Sequence, residues 1–295
     1  MASDVGGLLP PLPAAFDDRT DLVDSAPLMY HLAQRHCDSS CRHYHALWQY
    51  LRCWGINSTL ATSAAFLVAA FRRCARAGMT RVLISASADY GLLALVHRAY
   101  GWEGVTPQET LVDRCPTPLA INRWYSDRHG VTLETRQSDI LAFTAAEPFD
   151  VICCHSFLGY FPQTQRQELV RRWYEFLAPG GRVITCQRIR PGFAPDAVVR
   201  HSAAQGETLR RQLMAHWHGE LGLERHGLAQ AALGYARGVK SYAIPTASLL
   251  GEPFEAAGFV VEQLTAEAAG DDRPTLRDIP GTGRRLQLCA RRPKA

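Results

Sequence analysis

The sequence contains no apolar run long enough to cross a membrane. The longest run, residues 64–71, is followed directly by Arg72 and Arg73, whereas a membrane-spanning helix needs about 20 apolar residues. The N-terminal region also lacks the basic segment that precedes the apolar core of a secretory signal peptide, since only Asp4 is charged before Leu8. Neither a membrane partner nor export is therefore expected.

A strong charge of either sign is absent as well. The formal net charge is +4 over 295 residues, of which 20% are charged. Nucleic-acid-binding domains concentrate Lys and Arg on one face, but here most basic residues are scattered. One basic cluster lies in the tail, where a solvated surface is the simpler interpretation, so no nucleic-acid partner is predicted. The tail residues are Arg284, Arg285, Arg291, Arg292 and Lys294.

Nine cysteines are spread along the chain. Their odd number in a large, regularly patterned sequence favours reduced thiols over a disulfide framework, which indicates a cytoplasmic protein. Hydrophobic residues make up 47% of the chain, enough for a sizeable core in one large domain with an appended segment. No internal repeat or low-complexity segment is visible, and the sequence does not indicate an oligomeric state.

Residues 81–188 alternate short apolar runs with helical patterns. Strands are predicted from Arg81 onward, at 109–113, 131–135 and 149–154, and at 182–186 after a Pro-Gly-Gly segment that ends the preceding helix. Alternation of this kind predicts βαβ units with a parallel sheet. The sequence therefore belongs to the α/β class.

Two acids follow predicted strands, Asp113 after the second and Asp139 after the third. Ligands of open α/β sheets bind beyond the carboxyl ends of the strands, so both acids are candidates to bind a nucleotide-type cofactor. Either could instead cap the helix or turn that follows it. The G-x-G-x-x-G turn of dinucleotide-binding dehydrogenases is missing, which disfavours that class.

This ordered set resembles the class I S-adenosylmethionine-dependent methyltransferases. The resemblance covers residues 81–188 well and the C-terminal part more loosely. It rests on the strand residues Val82-Leu83, Leu111-Val-Asp113, Ser138-Asp139-Ile140, Phe149-Asp-Val-Ile152 and Leu177-Ala-Pro-Gly-Gly-Arg-Val183. It implies a Rossmann-like sheet that is mostly parallel, with the last strand antiparallel, and S-adenosylmethionine as the cofactor.

The resemblance also implies the cofactor site. Asp113 corresponds to the acid that accepts hydrogen bonds from the ribose hydroxyls, and Asp139 to the residue that binds the adenine amine, with Ile140 packed on the ring. The other implied cofactor residues come from the first turn and the strand ends. They are Ala86, Ser87, Asp89, Gly91, Arg114, His155 and Ser156.

The first turn departs from the family pattern. The family has an acid and two or three glycines there, because the backbone must approach the cofactor closely. Here Ile84 takes the acid position, and Ala86, Ala88 and Tyr90 take the glycine positions. Alanine permits such an approach provided that its φ stays negative, and Asp89 is a possible replacement for the missing acid.

Helical patterns flank the sheet on both sides. Residues 1–77 are predicted to form an irregular leader, to about residue 25, and a helical lid interrupted near Gly55. Residues 78–295 then form the Rossmann-like domain, with a helical insertion at about 191–240. A helix at 253–258 and strands at 259–264 and 285–290 complete the prediction. Two helical additions of this kind exclude water from the site, and small-molecule methyltransferases often carry such a lid.

Several side chains are candidates for substrate chemistry. His155 follows the fourth strand and could deprotonate an acceptor atom near neutral pH, or could order the loop or contact adenine instead. A sulfonium favours aromatic faces, but each aromatic candidate is at least as well explained as ordinary core. These candidates are Tyr44, Trp48, Tyr90 and Tyr160.

A cysteine- and histidine-rich segment spans residues 36–45. If it is helical, Cys37, Cys41 and His45 share one face and could hold zinc with a fourth ligand from elsewhere. No second ligand pair is visible, so a packed lid helix without metal is favoured. In a third interpretation Tyr44, His45 and Trp48 face the substrate, with Tyr44 and His45 as catalytic residues.

The sequence thus predicts a methyltransferase that acts on a small molecule through an unassigned O, N or S atom. The degenerate first turn keeps two alternatives open. One is a non-catalytic cofactor-sensing or partner-binding module, and the other is an enzyme that uses the same cofactor for a different reaction, since one fold hosts many chemistries.

Overall fold

The computed structural model describes residues 19–56, 59–217, 219, 223–266 and 284–294. The strands are β1 (Arg81–Ser85), β2 (Gln108–Asp113), β3 (Leu133–Gln137), β4 (Phe149–His155), β5 (Leu177–Ile189), β6 (Val198–Arg200), β7 (Lys240–Tyr242), β8 (Val260–Ala266) and β9 (Arg284–Arg291). The helices are α1 (Arg19–His36), α2 (Arg42–Cys53), α3 (Thr59–Arg76), α4 (Gly91–Gly101), α5 (Pro116–His129), α6 (Gln163–Phe176), α7 (Ala203–His216), α8 (Arg225–Gly238) and α9 (Ala247–Ala256).

Seven strands form one sheet in the order β3-β2-β1-β4-β5-β9-β8. The first five are mutually parallel, and β9 lies antiparallel between β5 and β8. The predicted sheet, mostly parallel with an antiparallel last strand, is confirmed. Because these strands are parallel, the carboxyl ends of β1, β2, β3 and β4 lie at the same edge of the sheet.

The central strands are apolar because both faces of the sheet are covered. Val82, Leu83 and Ile84 of β1 are fully buried. Val82 and Ile84 pack with α3 and α4 in one core, whereas Leu83 belongs to a second core with α6 and α9. The three layers hold the sheet rigid beneath the edge where the site is formed.

The predicted start of β3 is wrong by two residues. Val131 belongs to the end of α5 rather than to the strand, since its N–H donates to the Ser126 carbonyl and its own carbonyl accepts from the Ser126 hydroxyl. Gly130 adopts a left-handed conformation at that helix end. Helix capping therefore takes precedence over the alternating pattern that continues into β3.

Pro179-Gly-Gly181 was expected to end a helix, but α6 already ends at Phe176 and the three residues lie inside β5. There they form an irregularity, since the pairing of β4 with β5 jumps from Leu177 to Arg182. A side chain at Gly181 would lie 3.0 Å from the Asp150 carbonyl. Close approach of the two backbones accounts for that glycine.

The predicted C-terminal helix was too short, and the insertion was predicted to be helical without strands. Helix α9 begins at Ala247, where the Thr246 hydroxyl accepts from the Leu249 N–H, and Pro253 lies within it. The insertion contains the predicted helices α7 and α8, but also the antiparallel pair β6 and β7. Two strands of three residues each are too short to leave a clear period in the sequence.

The predicted helical lid consists of α1, α2 and α3. The first begins at Arg19 rather than near residue 26, and residues 1–18 of the predicted leader lie outside the described part. Leu47, Tyr50 and Leu51 of α2 pack against Leu209 of α7 and Tyr235 of α8. The lid and the insertion therefore form one continuous cap. None of the helices in the described ranges combines the length and hydrophobicity needed to span a membrane.

Candidate active site

A cavity of about 1070 Å³ lies between the cap and the carboxyl ends of β1, β2, β3 and β4. Its floor contains Ser87, Asp113, Asp139 and His155, and its roof is formed by α2 with the segment around Lys240. Ligand pockets commonly measure about 300–1,000 Å³. The volume suits a cofactor together with a second molecule.

The first turn has a glycine-like backbone without glycine. Ala86 has a φ of 66°, whereas a negative φ was expected from the sequence at this alanine. Its N–H donates to the Val112 carbonyl of β2, which fixes the turn across the neighbouring strand. An L-residue in this conformation costs about 1–2 kcal/mol, and such strain persists at functional sites when surrounding contacts impose it.

Asp89 lines the cavity, but its carboxylate is engaged by protein groups. One oxygen accepts from the Gly91 N–H at 2.9 Å, and the other forms an ion pair with Arg52 of α2. A Cβ at Gly91 would lie 2.6 Å from Leu60 of α3, and Gly91 does not line the cavity. These two residues therefore dock the lid onto the turn, whereas the prediction placed both on the cofactor.

Asp113 lies at the end of β2, facing the first turn. Its carboxylate accepts from the Ser87 N–H at 3.3 Å and from the Cys115 N–H at 2.8 Å. Burial raises its pKa to about 6, against the opposing effect of these hydrogen bonds. The turn and the acid are thus held together at the cavity wall.

Asp139 and Ile140 follow β3 on the same edge. The Asp139 carboxylate accepts from the Leu141 N–H at 2.9 Å, a local turn that leaves the side chain 44% exposed. Ile140 is buried beside it. Arg114 lines the cavity with a mostly exposed side chain, 3.8 Å from Asp139. The turn-capping role that the sequence left open for Asp139 is present, and it leaves the side chain available at the cavity wall.

His155 ends β4, and Ser156 follows it; both line the cavity. The His155 Nε2 lies 3.2 Å from the hydroxyl of Ser63 in α3, so the lid contacts this imidazole. Ser156 has a φ of 55°, a second strained non-glycine residue at the same edge. Its N–H donates to the Cys186 carbonyl of β5.

Three of the four predicted aromatic side chains line the cavity, namely Tyr44, Trp48 and Tyr160. Tyr44 stacks on Tyr235 of α8 with a ring separation of 5.8 Å, which joins the lid to the insertion. Tyr90 is instead fully buried and stacks on Tyr125 at 4.7 Å, so it belongs to the core.

From the sequence, Cys37, Cys41 and His45 were expected to share one face only if residues 36–45 form a helix. The three residues do not share one helix. Cys37 follows α1, Cys41 precedes α2, and a turn between them brings their thiols to the same point. Cys115, directly after β2, joins them, and the four ligand atoms lie within 4.8 Å of one another. Hydrogen bonds from Cys37 and Cys41 hold the pKa of the Cys115 thiol well below its ordinary value.

Several site residues were missed from the sequence. Arg52, Ser63 and Cys115 contact predicted site residues from elements far away in the chain. The wall from Gly238 to Tyr242 comes from the insertion. Only Cys115 carried a signal, as a metal-ligating residue type two positions after the predicted ribose acid.

Comparisons with known proteins agree with this architecture. A family model described as a methyltransferase domain matches residues 92–181. No curated protein matches the sequence significantly. Among solved structures, the S-adenosylmethionine-dependent methyltransferase SibL in its apo form is similar to 95% of this chain and 71% of its own, with 16% identity and a TM-score of 0.52.

Two further solved structures are more distant. The N-methyltransferase NodS from Bradyrhizobium japonicum WM9, in complex with S-adenosyl-L-homocysteine, has 14% identity over 77% of this chain and 86% of its own, with a TM-score of 0.46. Magnesium protoporphyrin IX methyltransferase from Synechocystis PCC 6803, with the same ligand, has 11% identity over 93% of this chain and 100% of its own, with a TM-score of 0.47. Residues 92–181 thus match a methyltransferase domain, and the observed sheet order is that of the predicted Rossmann-like fold.

Proposed function

We propose that the protein transfers a methyl group from S-adenosylmethionine to a small-molecule acceptor. The observation that carries this proposal is the cavity of about 1070 Å³ that lies between the cap and the strand ends carrying Asp113 and Asp139. A pocket of this volume fits a cofactor and a small acceptor. The SAH-bound neighbours support the choice of cofactor.

The cofactor half of the cavity is assigned to the strand ends. Asp113 accepts from ribose hydroxyls while it keeps its hydrogen bond from the Ser87 N–H. Asp139 binds the adenine amine, and Ile140 covers one face of the ring. The left-handed Ala86 turns the backbone of the first turn in the way that glycine does in the family, which supports binding despite the missing glycines.

The chemistry demands alignment more than proton transfer. Methyl transfer is an in-line displacement at a sulfonium carbon, so holding the two reactants in contact accounts for much of the rate enhancement. The cap covers the strand ends, and Tyr44, Trp48 and Tyr160 line the cavity, where they offer aromatic faces to the cationic sulfur. We assign the acceptor contact to Tyr44, because it lies in the roof opposite the strand ends.

His155 is the better candidate for a general base where the acceptor must lose a proton. It lies on the floor, and Ser63 orients its ring. The His45 ring is 6% exposed and its Nδ1 lies 3.2 Å from the Cys37 sulfur, which suits a structural role. None of the nine cysteines forms a disulfide bond in the described structure, which supports a cytoplasmic location.

The proposal is tested by calorimetric titration of the purified protein with S-adenosylmethionine and with S-adenosylhomocysteine. We expect both to bind, and no binding of either at millimolar concentration would overturn the proposal. An acceptor screen read by product mass then tests the reaction, with a gain of one methyl group expected. Binding without any product favours a sensing module, and another mass change favours a different reaction of the same cofactor.

A further inference from the structure

Four side chains of the types that bind zinc converge at one wall of the cavity. Cys37 and Cys41 come from the turn between α1 and α2, His45 from the first turn of α2, and Cys115 from the loop after β2. We propose that these four residues bind one Zn²⁺ ion as a closed, four-coordinate site. The inference does not depend on the proposed methyl transfer.

The separations of the ligand atoms fit one tetrahedral ion. Zinc binds thiolates at about 2.3 Å and imidazole at about 2.0–2.1 Å, so ligand atoms on a zinc tetrahedron are about 3.5–3.8 Å apart. The sulfur of Cys115 lies 3.4 Å from that of Cys37, 3.8 Å from that of Cys41 and 3.5 Å from Nδ1 of His45. The largest separation within the set is below 4.8 Å. One ion reaches all four atoms with small side-chain adjustments.

The spacing along the chain is also that of a zinc site. Cys37 and Cys41 form a pair with three intervening residues, within the range of known zinc knuckles. The second pair is His45 with Cys115, which is distant in sequence and adjacent in space. Three sulfurs and one imidazole nitrogen favour zinc over magnesium or calcium, which prefer oxygen ligands. At 3.4 Å and 3.8 Å the sulfurs are well beyond a disulfide bond of about 2 Å.

The protein holds the ligands in place through its own hydrogen bonds. In the turn, the Asp38 carboxylate accepts from the Ser40 N–H at 2.7 Å, and Arg42 donates to the Cys37 carbonyl at 3.1 Å. The hydroxyl of Thr117, which is fully buried, lies 3.1 Å from the Cys37 sulfur. Contacts of this kind orient metal ligands and tune their affinity.

A site with four protein ligands has no open position for substrate, so its role is structural. Zinc displaces the protons that the ligands still carry, and the ion with three thiolates and a neutral imidazole carries a net charge of −1. The ion joins the lid to the loop after β2, two residues beyond Asp113. Zinc therefore fastens the roof of the cavity to the strand that carries the predicted ribose acid.

The test uses the full-length protein, prepared without metal and titrated with Co²⁺, whose tetrahedral thiolate complexes absorb strongly in the visible range. We expect saturation at one equivalent, displacement of cobalt by zinc, and one zinc per protein by elemental analysis after growth with added zinc. Cys115→Ser should lower the affinity for cobalt at least about tenfold. The matched control is Cys53→Ser. Cys53 lies in α2, the helix that carries His45, but outside the cluster, so this variant should bind cobalt as the wild type does.

Thr117→Val is a second test. It keeps all four ligands, so it remains informative if Cys115→Ser does not fold. Loss of its contact to Cys37 should weaken cobalt binding about tenfold. The proposal is overturned if the wild-type protein gives no tetrahedral cobalt spectrum. It is equally overturned if Cys115→Ser binds cobalt as the wild type does, or if thiol counting under denaturing conditions finds a disulfide among Cys37, Cys41 and Cys115.

Discussion

Arg52 of the lid and Asp89 of the first turn form a buried ion pair, with 8% and 4% of their side chains exposed. The same carboxylate caps α4 through the Gly91 N–H, and the Arg52 guanidinium lies 5.7 Å from the Tyr90 ring centre. The acid of the degenerate first turn therefore binds the lid. The position of the roof and the shape of the turn depend on one another.

Removing one partner of this pair should be strongly destabilising. Arg52→Met leaves the Asp89 charge buried without its ion pair, and such changes cost about 3–5 kcal/mol. Denaturant unfolding measures the loss. The matched control is Arg171→Met, which breaks an exposed pair with Glu175 on α6 and should cost far less, because exposed ion pairs contribute little. Equal losses in the two variants would refute a special role for the lid contact.

Ala86→Gly should stabilise the protein. Glycine adopts a φ of 66° without the penalty of an L-residue, but it also gains freedom in the unfolded chain, so we expect a net gain of about 0.5–1 kcal/mol. Thermal and denaturant unfolding measure it. Ala88→Gly is the control in the same turn, because Ala88 is not among the residues with positive φ and its replacement should destabilise. A loss of stability in Ala86→Gly contradicts the strained turn.

Glu109 should make the stability depend on pH. It is 2% exposed on β2, neither carboxylate oxygen has a hydrogen-bond partner among the described residues, and burial raises its pKa well above 4.5. The folded state therefore favours the protonated acid. Its contribution is full below the ordinary value of 4.5 and is lost as the pH rises through the higher folded pKa.

Glu109→Gln, which is neutral at every pH, should flatten this decline in the free energy of unfolding. The check is a series of denaturant unfolding curves from acid to alkaline pH. Glu175→Gln on the exposed face of α6 is the control and should follow the wild type. If Glu109→Gln loses stability as steeply as the wild type, the buried carboxyl is not the cause.

Asp113→Asn should weaken S-adenosylmethionine binding. The amide keeps the shape and one acceptor for the Cys115 N–H, but it loses the charge-assisted hydrogen bonds to ribose, which are worth about 1.5–3 kcal/mol. Calorimetric titration measures the affinity, and Asp150→Asn is the control. Asp150 lies at the start of β4, at the end opposite His155, where its carboxylate accepts from the Thr80 and Arg81 N–H groups. Unchanged affinity in Asp113→Asn would remove this residue from the cofactor site.

The sheet was predictable because its central strands are apolar throughout and its connections are short. Errors fell where a local hydrogen bond decides the boundary, as at Val131, whose carbonyl the Ser126 hydroxyl binds. Pro179-Gly-Gly181 was misplaced for a different reason, since Gly181 is required by the close approach of Asp150 in the neighbouring strand β4 and not by the helix before it. Such contacts between elements leave no periodic signal.

The strand-end residues of the site were predictable from topology alone, since parallel strands bring Asp113, Asp139 and His155 to one edge. The partners supplied by the cap were not. Arg52 is 37 residues from Asp89, and Cys115 is 70 residues from His45, distances along the chain over which spacing carries no information. Docking of the lid and insertion decides those contacts, and only the assembled fold reveals them.

The place of β9 in the sheet has a consequence for biosynthesis. The strand lies between β5 and β8, pairing with both, although it is made after them. During translation β1 to β5 can pair as they emerge, while β8 has no neighbour in the sheet until residues 284–291 follow. Nascent chains halted before β9 leave the pairing edge of β5 open to aggregation, so the synthesis of β9 is the step that joins β8 to the sheet.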